Sequence, residues 1–313
     1  WSKRSLKSVK PKVIVIGGPT ATGKTALSIE LAKRIQGEIV SADSMLIYRG
    51  MNIGTAKPTE EEKEGIPHYM IDIVNPDERF SVADYKKGAI RAIEEILAKG
   101  KTPIVVGGTG LYIDTLIYGI DYPDIEIDLD YRKSLEERAE KEGLSKLYEE
   151  AKHIDPKAMQ KISENDQKRI CRVLELYQAT KKTKTELEKE SRKKGVPYNY
   201  HVFAIEMERE KLYERINLRV DLMLQAGLLE EVEGIWKTYQ TFPTAMQGLG
   251  YKEVVEYLEQ KISKEEMIEK IKMETRRYAK RQMTWFKKNR QTIWLDGFAD
   301  KEVNIARILE EIA

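Results

Sequence analysis

Cysteine is nearly absent from this chain, and its absence excludes two ways of holding a fold together. Cys171 is the only cysteine among 313 residues, which rules out a disulfide framework and a cysteine-based zinc site. The three histidines, His68, His153 and His201, are scattered singly and suggest no metal site. No apolar run approaches the roughly 18 residues that a membrane span requires, and the first twelve residues are basic without the apolar stretch of a secretory signal. We therefore expect a soluble, cytoplasmic protein.

A large excess of charge of one sign is also missing, but the basic residues are unevenly distributed. The formal net charge is only +2, which taken alone argues against a nucleic-acid-binding protein. Residues 270–290, however, contain nine basic residues and one acidic residue, and residues 161–200 contain eleven basic and six acidic residues. Clusters of this kind are typical of a surface that binds a polyanion.

Residues 18–25 fit the phosphate-loop pattern G-x-x-x-x-G-K-[ST]. Four β-branched residues at 13–16 precede the loop and indicate a buried strand, and an amphipathic helix follows it. Glycines let the backbone curl so that successive N–H groups point at one anion, at the positive end of the helix dipole. Lys24 then reaches the outer phosphate, and the Thr25 hydroxyl can ligate Mg²⁺. The predicted diphosphate-binding residues of the loop are Gly18, Pro19, Thr20, Ala21, Thr22, Gly23, Lys24 and Thr25.

Strands and helices alternate through about the first 115 residues. The predicted strands are 13–16, 38–41, 68–73 and 102–106, with helices near 24–36 and 81–99. This order predicts an α/β fold of the P-loop type with a doubly wound parallel sheet, in which ligands bind at the carboxyl ends of the strands. A charged helical stretch follows, then a strand at 200–207, helices at 209–239, 248–261 and 264–289, and a last strand at 292–296. We predict a catalytic core of residues 1–119 and 200–313, with residues 120–199 inserted as a helical domain.

Polar residues follow several of the predicted strands. Asp43 stands after the second strand and fits a general base, an indirect Mg²⁺ ligand through water, or a cap of the next helix. Thr109 lies in the glycine-rich segment 107–110, where a close approach to a ligand and a plain tight turn both satisfy the pattern. Arg215 and Arg219 share a helical face and suit a diphosphate clamp, although ion pairs with neighbouring acidic residues on a solvated surface explain them equally.

Two basic segments are candidate RNA-binding surfaces. Residues 275–288 are predicted to form a basic amphipathic helix, whose cations would contact phosphates and whose arginine, glutamine and aromatic groups would contact splayed bases. An ordinary exposed helix with a buried aromatic stripe is the other interpretation, and both can hold at once. Lys168, Arg169 and Arg172 form a second basic cluster within the predicted insertion.

The motifs taken together resemble the tRNA dimethylallyltransferases, in the bacterial form without a zinc-finger extension. The matching segments follow one another along about 280 residues, at 18–25, 41–44, 48–51, 53–58, 107–112, 166–175, 250–253 and 279–285. Asn52 departs from the family pattern, in which an acidic residue is often found. The resemblance is far more specific than the phosphate loop, because it rests on the order and spacing of several segments.

The resemblance implies transfer of a dimethylallyl group from dimethylallyl diphosphate to the exocyclic amine of an adenosine, with release of diphosphate. The adenosine would lie immediately 3′ of the anticodon, in tRNAs reading codons that begin with U. Asp43 would accept the amine proton, Thr109 would orient the diphosphate or the base, and Lys24 would assist the leaving group, together with Mg²⁺ and with Arg215 and Arg219. A single tRNA site needs only a monomer, without an obligate protein partner.

The resemblance also implies which residues grip the anticodon stem-loop. Those nearest the target base would be Asp43, Ser44, Met45, Leu46 and Thr109. The others would be Arg132, Lys168, Arg169, Arg172, Gln247, Gly248, Gly250, Tyr251, Lys252, Arg276, Arg277, Lys280, Arg281, Gln282 and Trp285.

Three other functions remain compatible with the residues. A small-molecule kinase is one, because the same loop commonly holds ATP. A prenyltransferase acting on free adenylate is a second, against which the basic segments argue. A nucleotide-gated RNA-binding module without chemistry is the third, and it predicts that replacing Asp43 leaves every turnover unchanged.

Overall fold

A computed structural model describes residues 9–126 and 128–313 and divides them into two compact units. One unit contains the chain up to Ile113 and from Pro197 onward, and the other runs from Asp114 to Val196. The two boundaries predicted from the sequence, 119/120 and 199/200, lie slightly further along the chain. Residues 1–8, which carry most of the segment tested for a secretory signal, lie outside the described residues. No helix within 9–126 or 128–313 is long and apolar enough to cross a membrane.

The first unit is built on a sheet of six parallel strands in the order β3-β2-β4-β1-β5-β6. The strands are β1 Lys12–Gly17, β2 Gly37–Ser41, β3 His68–Tyr69, β4 Thr102–Val106, β5 Asn199–Glu206 and β6 Ile293–Asp296. The central strand β1 is apolar on both faces because helices cover both sides of a parallel sheet, and its residues Val13 to Ile16 are fully buried. The predicted α/β fold with a parallel sheet is confirmed.

Helices connect and flank these strands. They are α1 Lys24–Ile35, α2 Glu60–Lys63, α3 Val82–Ala98, α4 Gly110–Ile117, α10 Arg209–Gln225, α11 Leu228–Thr238, α12 Tyr251–Leu258, α13 Lys264–Lys288 and α14 Lys301–Ile312, with a short 3₁₀ turn at Ala245–Gln247. The boundary between the two units falls within α4. The short helix α2 and the last helix α14 are absent from the sequence prediction.

Two predicted elements are wrong in length, and each has a backbone reason. The strand predicted at 68–73 ends at Tyr69, because Met70 and Asp72 adopt left-handed conformations with φ of +66° and +54° that interrupt an extended chain. The helix predicted at 209–239 is two helices, since Gly227 has φ of +104° and turns the chain between them.

In its described residues, the second unit contains helices and loops but no strand. After the end of α4 it contains α5 Leu129–Glu142, α6 Leu144–Ile154, α7 Pro156–Met159, α8 Gln167–Thr180 and α9 Lys184–Lys193. Leu135, Leu147, Ile170 and Leu174 belong to its apolar core. This unit has its own buried cluster, as a separately packed domain requires.

Candidate active site

The loop between β1 and α1 is held by bonds among its own residues. Thr22 Oγ1 and Lys24 Nζ both donate to the carbonyl oxygen of Pro19, at 2.8 and 2.6 Å. Gly23, which precedes α1, has φ of +87°, and within the described chain no side chain caps this helix. The first backbone N–H groups of α1 are therefore directed at whatever anion the loop receives.

A cavity of about 720 Å³ opens beside the loop. Its lining combines segments that are far apart in the sequence, which are residues 20–26, 43–46, 107–108 and 247–252, and the α13 side chains Thr275, Tyr278, Arg281 and Gln282. All of these belong to the first unit. The fold thus gathers the phosphate loop, Asp43 and part of the basic helix around one space.

Arg219 reaches the phosphate loop, and Arg215 does not. Arg219 Nη1 donates to Thr20 Oγ1 at 3.0 Å and lines the cavity. Arg215 is exposed and does not line the cavity. Four residues of α-helix separate the two side chains by about 6 Å along the axis, so a shared face does not bring both guanidinium groups to one loop. The predicted clamp of two arginines is corrected to Arg219.

The charge around Lys24 is strongly perturbed. Burial and, to a lesser extent, the guanidinium of Arg219 together lower the pKa of Lys24 to about 7, while Asp43 acts in the opposite direction. Burial also lowers the pKa of Arg219. Two cations are thus brought together beside a carboxylate, an arrangement that a bound polyanion would neutralise.

Asp43 and Thr109 hold neighbouring backbone segments. Asp43 Oδ1 accepts hydrogen bonds from the backbone N–H groups of Met45 at 2.8 Å and Leu46 at 3.3 Å, and Thr109 Oγ1 accepts one from Ser44 N–H at 3.0 Å. Asp43 therefore caps a turn, although no helix follows it. Its side chain lines the cavity together with those of Ser44, Met45 and Leu46.

The glycine-rich segment after β4 serves close packing between protein segments. A Cβ atom at Gly107 would lie 2.3 Å from the carbonyl oxygen of Ala42, and one at Gly108 would lie 2.1 Å from Gln282 Nε2. The close approach for which glycine is needed is therefore to the end of β2 and to α13.

Gln282 is buried and bonded at both ends of its amide. Its Oε1 accepts from the backbone N–H of Thr20 at 3.0 Å, and its Nε2 donates to the carbonyl oxygen of Gly108 at 3.1 Å. Gln282 thereby links the phosphate loop to the segment that carries Thr109. The expectation that it reads RNA is corrected, because both polar atoms are used within the protein.

Trp285 also packs inside the first unit. Its ring lies edge-on to Phe286 with centroids 4.8 Å apart, and a Cβ atom at Gly110 would lie 2.4 Å from it. Trp285 is half-buried and is not among the buried residues of the 25-residue helix α13, so its placement among the RNA contacts stays a prediction.

The basic residues of α13 fall into two groups. Arg276 donates to Asn217 Oδ1 at 2.7 Å, and Arg277 pairs with Glu274 at 2.8 Å. Lys280 and Arg281 are exposed, and Arg281 lines the cavity. Tyr278 lies beside them, and burial raises its pKa to about 12, while hydrogen bonds with Thr109 and Gln282 act in the opposite direction. The hydroxyl of Tyr278 is therefore a neutral donor.

The predicted RNA-contacting residues of the segment 247–252 also line the cavity. These are Gln247, Gly248, Gly250, Tyr251 and Lys252. The Tyr251 hydroxyl donates to Glu231, a residue that the sequence analysis did not single out.

Two of the four predicted basic residues of the second unit lie around one carboxylate. Arg132 donates to Glu175 through Nε at 2.6 Å and Nη2 at 2.9 Å, and Arg172 Nη1 lies 3.5 Å from the same carboxylate. Lys168 and Arg169 are exposed at the start of α8. Arg132 is thus engaged in an ion pair that stabilises its own unit. Lys168 presents its charge to solvent, and the exposed Arg169 lies 3.4 Å from Asp166 Oδ2.

The sequence singled out Thr20, Gln282 and Tyr251 but not the contacts between them and their partners, and Glu231 gave no sequence signal. Gln282 and Thr20 are 262 positions apart and Tyr251 and Glu231 are 20 apart, and no motif joins either pair.

For the metal, the described residues contain no group of three or more His, Cys, Asp or Glu side chains able to hold an ion. Thr25 lines the cavity at the start of α1, so its hydroxyl suits an ion that takes most of its ligands from phosphate and water.

The fold and the site define a P-loop α/β protein whose phosphate loop faces a cavity of about 720 Å³. A family model described as IPP transferase matches residues 46–289. The chain belongs to that family. Named relatives of high similarity are tRNA dimethylallyltransferases.

The chain is similar to proteins of known name over nearly its full length. A tRNA dimethylallyltransferase of Acetivibrio thermocellus is 55% identical over 285 residues, covering 91% of each chain. One of Bacillus cereus is 45% identical over 303 residues, covering 96% of this chain and 95% of the relative.

Solved structures agree with these relatives. The tRNA isopentenylpyrophosphate transferase of Bacillus halodurans matches with a TM-score of 0.73 and 42% identity, covering 97% of this chain and 96% of that chain. A eukaryotic dimethylallyltransferase acting on tRNA matches with a TM-score of 0.77 and 31% identity, covering 96% of this chain and 77% of the other. The resemblance inferred from the motifs is confirmed.

Proposed function

We propose that this chain transfers the dimethylallyl group from dimethylallyl diphosphate to a tRNA adenosine. The acceptor is the exocyclic amine of the adenosine immediately 3′ of the anticodon, in tRNAs reading codons that begin with U, and diphosphate is released. The enzyme acts as a monomer in the cytoplasm. The names of relatives that are 44–55% identical support the reaction.

One observation carries the chemical part of the proposal. The phosphate loop with Lys24 and the carboxylate of Asp43 line the same cavity. A cationic loop for a leaving diphosphate and a base for the attacking amine are therefore available within one cavity, as a displacement at an allylic carbon requires.

The step balances with these groups alone. The adenosine nitrogen forms a bond to the first carbon of the allyl group, and the carbon–oxygen bond breaks with its electron pair passing to the diphosphate. The amine proton passes to Asp43. The loop N–H groups, Lys24 and Arg219 stabilise the charge that develops on the diphosphate oxygen. Thr109 and Tyr278 keep the polar wall of the cavity in place through their bonds to Ser44 and Gln282.

Mg²⁺ is the cofactor of the proposed reaction. Thr25 would hold it at the start of α1, with phosphate oxygens and water as the remaining ligands. Its chemistry is to neutralise part of the charge on the departing diphosphate.

The RNA contacts are proposed on both units. On the first unit they are the cavity side chains of residues 247–252 and the exposed cations Lys280 and Arg281. On the second they are Lys168 and Arg169. The cations of this set, which are Lys252, Lys280, Arg281, Lys168 and Arg169, offer charge to the phosphates of an anticodon stem-loop. The target base would have to leave its stack to reach Asp43.

The test separates the chemical role of Asp43 from its turn-capping role. Asp43→Asn keeps an oxygen that accepts from Met45 and Leu46 but removes the base, so we expect kcat to fall by about 10²- to 10⁴-fold while tRNA binding is retained. Asp77→Asn, at an exposed aspartate outside the cavity lining, is the matched control. Reactions with tRNA use labelled dimethylallyl diphosphate or labelled ATP, and the modified nucleoside is identified by mass spectrometry. Label entering tRNA from ATP alone would refute the proposal.

A further inference from the structure

One turn in the wall of the cavity is bound by a carboxylate that lies outside the cavity. The backbone N–H groups of Asn52, Ile53 and Gly54 all point at Glu231, with N···O distances of 3.1, 2.8 and 3.4 Å. Three successive N–H groups form a concavity of the kind that receives anions. Here the side chain of Glu231, at the start of α11, fills it.

The same carboxylate accepts a fourth hydrogen bond. The hydroxyl of Tyr251, which is 1% exposed, donates to Glu231 Oε1. Burial and the neighbouring Glu231 carboxylate raise the pKa of Tyr251 far above its usual range, so the hydroxyl stays a donor. Glu231 therefore holds a backbone turn and a tyrosine with one charged group, and hydrogen bonds to a charged group are stronger than neutral ones.

The turn and the tyrosine are in direct contact. A Cβ atom at Gly54 would lie 2.5 Å from Tyr251 Cε2, so a glycine is required for the ring to pack on the turn. Bonds within the turn, from Thr55 Oγ1 to the carbonyl oxygen of Met51 at 2.6 Å and from Lys57 N–H to that of Asn52 at 2.9 Å, fix its shape. The bonds to Glu231 fix where that shape stands against Tyr251.

Both partners of Glu231 form the cavity wall, whereas Glu231 does not line it. Gly54, Thr55, Ala56 and Tyr251 are lining residues. The phosphate loop is held by a different set of bonds, from Arg219 to Thr20 and from Thr20 to Gln282. A change at Glu231 therefore acts on one side of the cavity and spares the diphosphate side.

We propose that Glu231 is a positioning residue that sets the RNA-facing wall of the cavity by holding the 52–56 turn against Tyr251. The inference rests on the proposed function. It assigns to Glu231 no contact with either substrate, since its carboxylate acts through the turn and the tyrosine.

Three substitutions test this role. Glu231→Gln removes the charge and replaces one acceptor oxygen with an N–H₂ group that faces backbone donors. Tyr251→Phe keeps the ring and removes only the hydroxyl. Glu233→Gln is the matched control, because Glu233 lies on the same helix and pairs with Lys237 at 2.6 Å instead of with the turn.

The readouts are kcat and KM for an anticodon stem-loop RNA, the Kd for dimethylallyl diphosphate, and Tm. We expect Glu231→Gln to lower kcat/KM for RNA at least tenfold while the Kd for the diphosphate changes less than twofold. Tyr251→Phe should give a smaller loss, and the double variant should lose less than the product of the two. Glu233→Gln should match the wild type.

Two results would overturn the proposal. One is a Glu231→Gln variant whose constants equal those of Glu233→Gln. The other is a parallel loss of RNA turnover, diphosphate affinity and Tm, which indicates a general structural role. A wild-type protein that transfers no dimethylallyl group would refute the proposed function instead, so the two failures are distinguishable.

Discussion

At the scale of single residues, the structure separates side chains that the sequence treats alike. Arg215 and Arg219 have the same chemistry and the same predicted role, yet only Arg219 contacts Thr20 and lines the cavity. Equally, Lys280 and Arg276 are neighbours in one basic run, but Arg276 is bonded to Asn217 and Lys280 is exposed. Charge type is a property of the sequence, and accessibility is a property of the fold.

The pair of arginines provides an internally controlled prediction. Arg219→Met should raise the Kd for dimethylallyl diphosphate about tenfold or more, because a hydrogen-bonded charge contributes about 1.5–3 kcal/mol. Arg215→Met should change it less than twofold. Equilibrium binding of the diphosphate to both variants, with Tm measured in parallel, checks this result. Equal effects of the two substitutions would restore the two-arginine clamp.

Thr25 allows a test of the proposed Mg²⁺ site. Thr25→Val removes the hydroxyl with little change in volume, and Thr25→Ser retains it. We expect the valine variant to need about tenfold more Mg²⁺ for half-maximal transfer, equivalent to about 1.4 kcal/mol, and the serine variant to resemble the wild type. Titration of Mg²⁺ after treatment with a chelator measures this requirement. An unchanged requirement in Thr25→Val would remove Thr25 from the site.

At the scale of secondary-structure elements, α13 has a role that its basic composition hides. The helix supplies a buried face through Ala279, Gln282 and Phe286 as well as exposed cations. Through Gln282 it joins the loop after β1 to the segment after β4. These two segments follow neighbouring parallel strands, and the amide bonds fix their separation on the side where ligands bind.

Gln282 is expected to affect the whole cavity. Gln282→Met has a similar volume but leaves Thr20 N–H and the Gly108 carbonyl without their partner, at a cost of about 1–3 kcal/mol for each buried group. Gln282→Glu keeps the acceptor for Thr20 and loses the donor to Gly108. We expect both variants to have a lower free energy of unfolding in urea and a higher Kd for dimethylallyl diphosphate. The effect on Kd should be larger in Gln282→Glu, because its carboxylate adds a negative charge beside the phosphate loop.

The matched control for this pair is Gln291→Met, at an exposed glutamine beyond the end of α13. It should keep the wild-type stability and Kd. A Gln282→Met variant that binds the diphosphate normally would show that the phosphate loop holds its conformation without α13.

The strands and helices near the site show how far local patterns carry. The loop at 18–25, the strand before it and the helix after it were all predicted, because glycine positions and apolar periodicity are local signals. The end of β3 was not, since the left-handed conformations of Met70 and Asp72 follow from tertiary contacts rather than from residue type. Asp72 pairs with Lys57 there.

At the scale of the whole molecule, the modest net charge of +2 conceals local positive regions. Many cations of the second unit are paired, as Arg132 is with Glu175 and Lys194 is with Asp121 at 2.8 Å. Pairing of this kind leaves fewer cations for an RNA partner than the sequence count suggests. The exposed Lys280, Arg281 and Lys168 remain the strongest candidates, whereas the exposed Arg169 lies 3.4 Å from Asp166.

The salt dependence of tRNA binding tests this distinction. Lys280→Gln should reduce the slope of log Kd against log salt concentration by about 1 if its ammonium contacts a phosphate. Lys237→Gln, at an exposed lysine on α11 that pairs with Glu233, should leave the slope unchanged. Binding measured between low and physiological salt gives both slopes. Equal slopes for Lys280→Gln and the wild type would exclude a phosphate contact at Lys280.

The sequence by itself determined the phosphate loop, the parallel α/β sheet, a helical insertion predicted at residues 120–199 and membership of the transferase family. Each depends on residue types at short spacing or on the order of motifs, and both can be read directly from the sequence. Only the tertiary structure decided that Arg219 reaches the loop, that Gln282 is buried, and that Glu231 holds the 52–56 turn against Tyr251. These contacts join residues up to 262 positions apart, and their geometry follows from how the elements pack.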